Sequence, residues 1–111
     1  MNAPNIVMLH VTDRPEDVAR AILSARTLHK ARPAYSIRII VNGAALAGLT
    51  TDAAPLDIEH LPETATLEAC EVGMQVHDIA PAALQDGVGT TASAIAALSE
   101  GQLSGAAYIR I

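Results

Sequence analysis

The amino-acid sequence predicts an α/β protein, a three-layer α/β/α sandwich around a five-stranded, mainly parallel sheet. Apolar, β-branched runs alternate along the chain with stretches of helical periodicity, which favours parallel strands joined by crossover helices. The strand-like runs are almost wholly apolar, as is typical of strands buried on both faces. Because the chain has 111 residues and no repeat, linker or low-complexity tract, we expect residues 1–111 to form a single domain.

The first strand and the first helix follow from the opening residues. Residues 5–11 are an almost unbroken apolar run, which predicts a buried strand. Asp13 and Glu16 have the spacing of a capping box, and Pro15 fits a first helical turn, so the helix is expected to begin there and to end before Pro33. Its apolar stripe at spacings of three and four comprises Val18, Ala21, Ile22, Ala25 and Leu28.

The middle of the chain predicts a second strand and a less regular connection. Residues 35–41 are β-branched and mostly apolar, and Asn42 with Gly43 predicts a turn after them. Residues 44–49 predict a short Ala-rich helix. Residues 50–63 contain Pro55 and Pro62, and one or two helical turns are expected between them.

Three more elements complete the predicted sheet. Residues 64–70 predict a third strand, followed by a helix over 71–79. Residues 88–91 predict a short fourth strand. Ser93 can cap the next helix and Gly105 lies just past its end, after which residues 106–111 predict the fifth strand.

The composition limits the classes of function. Net charge is −5 and only 2% of residues are aromatic, without a basic run, so nucleic acid is not an expected partner. No stretch reaches the roughly 20 apolar residues of a membrane span, and the first five residues do not resemble a signal peptide. A single cysteine suits a reducing compartment, so we expect a cytoplasmic protein. Hydrophobic residues make up 50% of a chain without Phe or Trp, and this Ala-rich core predicts self-association.

Candidate site residues lie where the predicted strands end. In open α/β sheets, sites form outside the carboxyl ends of the strands. Cys70 joins a strand to a helix, where helix N–H groups favour a thiolate, whereas Glu68 and Glu71 oppose it. A reactive Cys70 is expected to be open to solvent; the alternative is a packed cysteine that behaves as a small hydrophobe. The other candidates are His10, Thr12, Asn42, Gly43, Thr90 and Thr91.

Metal and phosphate sites are not expected. His10 lies in a core strand, as a hydrogen-bonded buried imidazole or as a side chain directed into the site. The spacing of Cys70, His77 and His10 matches no compact zinc motif. Asn42 with Gly43, and residues 87–89, lack the rest of any phosphate-loop or dinucleotide fingerprint, so turn formation explains them better.

Five segments share one further pattern: residues 6–12, 39–43 and 67–70, the helix with Leu98 and Gln102, and residues 105–109. Together they resemble the DsrE/DsrF-like family of small sulfur-relay proteins. The chain has Glu71 and Val72 where such proteins often have Gly or Asn and a small hydroxyl residue, and Thr90 to Ser93 where they usually have Pro and Gly. The resemblance implies a five-stranded parallel sheet and assembly as a trimer or hexamer.

Two functions follow as hypotheses. The resemblance implies a sulfur carrier in which Cys70 accepts sulfur as a persulfide from a donor protein and passes it to an acceptor protein, without a metal or organic cofactor. Asn42, Thr90 and Thr91 would then be hydrogen-bond donors to the sulfur, with His10 and Thr12 near the opening. The alternative is a non-catalytic, oligomeric ligand-binding or regulatory module in which Cys70 only packs.

Overall fold

The computed structural model describes residues 5–111 and contains one five-stranded sheet in the order β4-β3-β2-β1-β5. Every pairing between neighbouring strands is parallel, as the apolar strand sequences predicted. β2 lies at the centre of the sheet, and β5 pairs with the side of β1 opposite β2. The strands are β1 Ile6–Val11, β2 Ser36–Val41, β3 Ala65–Cys70, β4 Gly89–Thr91 and β5 Ala107–Arg110.

The connections between strands are three α-helices and three short 3₁₀ helices. The α-helices are α1 Asp17–Ala31, α2 Glu71–Val76 and α3 Ala94–Leu103. The predicted Ala-rich helix is a 3₁₀ helix at Gly43–Leu49, and residues 50–63, for which one or two helical turns were expected, contain a single turn at Ile58–His60. A further 3₁₀ turn, Pro81–Ala83, leads toward β4.

The two faces of the sheet form separate hydrophobic layers. On one face, odd-numbered residues of β1 and β2 pack with α1, with the 3₁₀ helix Gly43–Leu49 and with Met74 of α2. On the opposite face, named here the α3 face, buried Met8, Ile40 and Cys70 pack with Ala94 and Leu98 of α3. Helices on both faces of a parallel sheet give the predicted three-layer sandwich.

The predicted capping box at the start of α1 is wrong. The helix begins at Asp17, and Glu16 at its N-cap makes no side-chain capping bond. Asp13 instead pairs with Arg110 of β5. Arg14 donates two hydrogen bonds to the carboxylate of Asp17, at 3.1 and 3.0 Å, and the Asp17 N–H donates to the Arg14 carbonyl at 3.1 Å, so backbone carbonyls of the preceding turn accept from the start of the helix.

The helix after β3 is shorter than the sequence predicted. α2 ends at Val76, whereas the apolar pattern predicted a helix to residue 79. Asp78 has a φ of 55°, in the left-handed region, and that conformation cannot continue an α-helix. The other end of the chain follows the expectation, since Ser93 caps α3 by accepting a hydrogen bond from the Ala96 N–H at 3.2 Å.

None of the helices formed by residues 5–111 combines the length and the apolar character needed to cross a membrane. The sequence also predicted that the first five residues are not a signal peptide. Residues 1–4 of that segment lie outside the described part of the chain.

Candidate functional site: Cys70 at the carboxyl edge of the sheet

Cys70 is the last residue of β3 and the N-cap of α2. Its Sγ accepts a hydrogen bond from the Gly73 N–H at 3.4 Å, in the first turn of α2. It accepts another from the Ala94 N–H at 3.3 Å, at the first residue of α3. Two backbone N–H groups from different elements therefore meet at one sulfur atom, and such donors favour negative charge there.

The thiol is buried, contrary to the expectation of a sulfur open to solvent. Cys70 is 5% exposed and belongs to the hydrophobic cluster of the α3 face, beside Met8, Ile40 and Leu98. The burial arises because α3 crosses this face and brings Ala94 onto the sulfur. In the conformation described, a reagent in solution reaches little of this side chain.

The two carboxylates expected to oppose a thiolate are both engaged elsewhere. Glu68 accepts hydrogen bonds at 2.8 and 2.6 Å from Arg38 and one at 2.6 Å from Thr66. Burial alone would raise the pKa of Glu68, but the hydrogen bonds from Arg38 and Thr66 and the charge of Arg38 outweigh it and lower that pKa. Glu71 accepts a hydrogen bond at 2.7 Å from the Thr90 hydroxyl.

His10 is a buried and fully hydrogen-bonded imidazole, one of the two roles expected for it. The residue is 8% exposed. Its Nδ1 lies 2.7 Å from the Tyr108 hydroxyl, and its Nε2 lies 2.8 Å from Asn42 Oδ1. His10 thus links β5 to the end of β2.

Strand register brings Asn42 next to Cys70. Val41 pairs with Ala69, and Asn42 continues in extended conformation, so it lies level with Cys70 on the neighbouring strand. Asn42 is on the α3 face, because it is two residues beyond Ile40 and its side chain reaches His10 on that face. Of the two neighbouring threonines, Thr91 pairs with Cys70 and shares its face.

Thr90 lies on the other face of the sheet from Cys70. Thr90 pairs with Ala69 on the opposite face of the sheet. There it borders a cleft of about 310 Å³ lined by Glu71, Met74, Gln75, Ile79, Pro81 and Thr90.

Gly43 has a φ of 59°, and a Cβ on it would lie 2.8 Å from the carbonyl oxygen of Thr12. The Thr12 carbonyl also accepts a hydrogen bond from Ala45 at 3.2 Å. Gly43 and Thr12 therefore build the turn after β2, as the turn interpretation of this dipeptide predicted.

Sequence reasoning missed Tyr108, Arg38 and the Ala94 N–H. Tyr108 is one of only two tyrosines and lies on a strand that pairs with β1, which is the available signal for its contact with His10. Arg38 interrupts an apolar strand two residues before Ile40, and its partner Glu68 interrupts the next strand. Within residues 5–111, no three His, Cys, Asp or Glu side chains are grouped so that they could hold a metal ion.

The fold and the cysteine define the class of protein: an α/β protein with a parallel five-stranded sheet and one buried thiol at the sheet's carboxyl edge. Solved structures share this fold. One is MTH1491 from Methanobacterium thermoautotrophicum, a protein of unknown function. It has a TM-score of 0.78 and 20% sequence identity, and the match covers 96% of this chain and 97% of that chain.

A second similar structure is that of the ychN protein from E. coli, with a TM-score of 0.70 and 16% identity over the full length of both chains. Both neighbours have the DsrE/TusD-like fold. No family model matches the chain, and a search of curated proteins finds no significant relative. At these identities the likeness establishes the fold alone.

Proposed function

We propose that this protein is a sulfur carrier that holds sulfur as a persulfide on Cys70. The observation that carries the proposal is the pair of backbone N–H groups, from Gly73 and Ala94, directed at one thiol sulfur. Backbone donors stabilise an anionic sulfur without the mobility of charged side chains. The resemblance to DsrE/DsrF-like proteins, whose fold the solved neighbours share, supports the same function.

The carrier reaction needs only thiol and persulfide chemistry. The Cys70 thiolate attacks the terminal sulfur of a donor persulfide, R–S–SH. A sulfur–sulfur bond forms on Cys70 as the donor's sulfur–sulfur bond breaks, and the donor leaves as the thiolate R–S⁻. In the second half, an acceptor thiolate attacks the terminal sulfur and Cys70 returns as a thiolate. No net oxidation occurs, and no metal or organic cofactor enters either step.

The charges around Cys70 suit this chemistry. Arg38 neutralises Glu68, the buried carboxylate two residues before the cysteine on the same strand face. Thr90 holds Glu71, the residue after the cysteine, by a hydrogen bond at the opposite face of the sheet. Because both carboxylates are engaged by these partners, they oppose a negative charge on the sulfur less than unpaired carboxylates would.

A buried sulfur requires an opening step before transfer. The segment that covers Cys70 joins β4 to α3, and β4 is a three-residue strand at the edge of the sheet, paired with β3. Gly89 and Thr90 of this strand are exposed, and short, exposed edge elements open at low free energy. We propose that movement of residues 91–94 admits the donor and the acceptor.

The partners belong to the same proposal. A donor and an acceptor protein with basic surfaces would complement the net charge of −5. We propose a cytoplasmic setting, where thiols stay reduced, and assembly into a homotrimer or homohexamer. Exposed apolar side chains support self-association, since Val76 is 76% exposed and Leu103 88% exposed.

Burial of the thiol favours a second candidate function. At 5% exposure, among Met8, Ile40 and Leu98, Cys70 has the surroundings of a packing residue. The protein would then be an oligomeric ligand-binding or regulatory module. The cleft of about 310 Å³ between α2 and β4 offers a place for a small ligand.

One experiment separates the two functions. Wild-type protein and Cys70→Ser are incubated with glutathione persulfide and examined by intact-mass spectrometry. A carrier gains the mass of one sulfur atom on wild type and none on Cys70→Ser, and returns to the thiol when a second thiol protein is added. If the folded wild type stays unmodified while its urea-unfolded form takes up sulfur, Cys70 is a packing residue and the second function stands.

A further inference from the structure

Four side chains on four neighbouring strands follow one another across the α3 face. They are Tyr108 on β5, His10 on β1, Asn42 at the end of β2, and Cys70 at the end of β3. Hydrogen bonds of 2.7 and 2.8 Å join the first three. Register then places Asn42 level with Cys70. The row therefore leads from an edge strand to the thiol.

The contacts of His10 fix the direction of the Asn42 carboxamide. Asn42 Oδ1 is an acceptor, so the His10 Nε2 at 2.8 Å is the donor in this bond. In that tautomer Nδ1 accepts a hydrogen bond from the Tyr108 hydroxyl at 2.7 Å. Because the oxygen of the carboxamide is held toward β1, its NH₂ group is directed away from His10, and the strand on the other side of β2 is β3, which carries Cys70.

The NH₂ group of Asn42 is available to a ligand. Asn42 Nδ2 makes no hydrogen bond with any of residues 5–111, Cys70 Sγ included. Sγ already accepts from Gly73 and Ala94. A terminal sulfur added to Cys70 would extend beyond Sγ and bring a new acceptor to the neighbouring strand end.

We infer that His10 is a positioning residue, which orients the Asn42 carboxamide so that its NH₂ group donates to the terminal sulfur of a Cys70 persulfide. This inference rests on the proposed carrier function and adds a specificity to it: the site distinguishes the persulfide from the thiol. His10 itself touches neither sulfur. His10 is buried and hydrogen-bonded at both ring nitrogens, so its ring is fixed and in turn fixes the orientation of the Asn42 carboxamide.

The test compares persulfide with thiol on the same cysteine. Each variant is equilibrated with a glutathione persulfide and glutathione mixture, and the ratio of persulfide to thiol on Cys70 is read by intact mass. Removing one hydrogen bond to a charged group lowers an equilibrium ratio by about tenfold. The ratio of persulfide to thiol on Cys70 is therefore expected to be about tenfold lower in Asn42→Ala than in wild type. His10→Ala should lose a similar factor, and the double variant no more than Asn42→Ala alone.

Three controls keep the reading specific. His10→Gln retains an N–H donor for Asn42 Oδ1 and should recover most of the wild-type ratio. Ser24→Ala changes an exposed residue of α1 on the opposite face and should match wild type. Alkylation of the Cys70 thiol should proceed at similar rates in wild type and Asn42→Ala, since the donor does not reach Sγ.

The outcomes distinguish this inference from the function on which it rests. Wild type that takes up no sulfur refutes both. Persulfide that forms equally on wild type and Asn42→Ala refutes the positioning inference alone. Nitrogen NMR of His10 gives an independent test: the Nε2–H tautomer is expected, and an Nδ1–H tautomer would mean that the carboxamide is turned around, which also overturns the inference.

Discussion

Arg38 of β2 and Glu68 of β3 form a bidentate ion pair, with N···O distances of 2.8 and 2.6 Å. Glu68 is 9% exposed, and Thr66 adds a third hydrogen bond to its carboxylate. The pair lies on the α3 face, since Arg38 is two residues before Ile40 and Glu68 two before Cys70. The ion pair and the thiol therefore lie on the same face of the sheet.

Breaking this pair should destabilise the protein. Arg38→Ala leaves a mostly buried carboxylate without its guanidinium partner. Since the Arg38 side chain is itself 33% exposed, the loss is smaller than for a fully buried pair. We expect the free energy of unfolding at neutral pH to fall by about 1–2 kcal/mol, measured by urea denaturation. Arg26→Ala removes the exposed pair with Asp57 and is the matched control, with an expected change below about 0.5 kcal/mol. Equal effects of the two substitutions would contradict the assignment.

The same pair predicts a pH dependence with a definite sign. The folded-state pKa of Glu68 lies below its ordinary value of 4.5. The pair's contribution is therefore complete above pH 4.5 and is lost as the pH falls through the lowered folded-state value. Wild type should lose stability below pH 4.5 more steeply than Glu68→Gln, and the gap between wild type and Arg38→Ala should narrow there. Parallel stability curves for wild type and Glu68→Gln would show that the pair does not titrate in this way.

The fold could be predicted from the sequence because its signals are local. Continuous apolar runs indicated buried parallel strands, and Ser93 and Gly105 marked the start and the end of α3. The start of α1 could not be predicted, since Asp13 is used by Arg110, which is distant in the chain, and Asp17 by Arg14. The local capping pattern is overridden here by the tertiary ion pair between Asp13 and Arg110.

The candidate site was less predictable because it depends on register and on which face a helix covers. The sequence located Cys70 and Asn42 at strand ends, but pairing decides that Thr91 shares the face of Cys70 and Thr90 does not. The burial of Cys70 depends on the path of α3 after β4. No local pattern encodes that path, so the expectation of an open sulfur was wrong.

The cap of α3 should matter to both stability and the sulfur. The Ser93 hydroxyl accepts a hydrogen bond from the Ala96 N–H at 3.2 Å, and the next residue, Ala94, donates to Cys70 Sγ. Ser93→Ala should lower the free energy of unfolding by about 1 kcal/mol and speed the alkylation of Cys70, because the covering turn frays. Ser99→Ala is the control, since its hydroxyl bonds only to the Ile95 carbonyl within α3. A Ser93 variant with unchanged alkylation would show that this turn does not cover the thiol.

Substitution of Gly48 should destabilise the protein because two backbone segments meet there. A Cβ on Gly48 would lie 2.4 Å from the carbonyl oxygen of Pro15, in the connection between β1 and α1. Neither segment can yield by a rotamer change, so Gly48→Ala should cost about 2–3 kcal/mol by thermal or urea unfolding. Gly89→Ala is the matched control, since its nearest atom, the Leu67 carbonyl oxygen, would be 3.7 Å away. A mild effect of Gly48→Ala would mean that the 3₁₀ helix and the loop are packed less closely than described.

Alkylation of Cys70 should report local opening at the sheet edge. At 5% exposure, the thiol is expected to react with iodoacetamide at least about 100-fold more slowly in the folded protein than in the unfolded chain. If residues 91–94 open alone, the rate should rise only weakly with low urea, because little surface is exposed in the opening. A steep rise with the full unfolding slope would mean that only global unfolding frees the sulfur. That result would leave a carrier function without a route for its donor, since a sulfur carrier must react while it is folded.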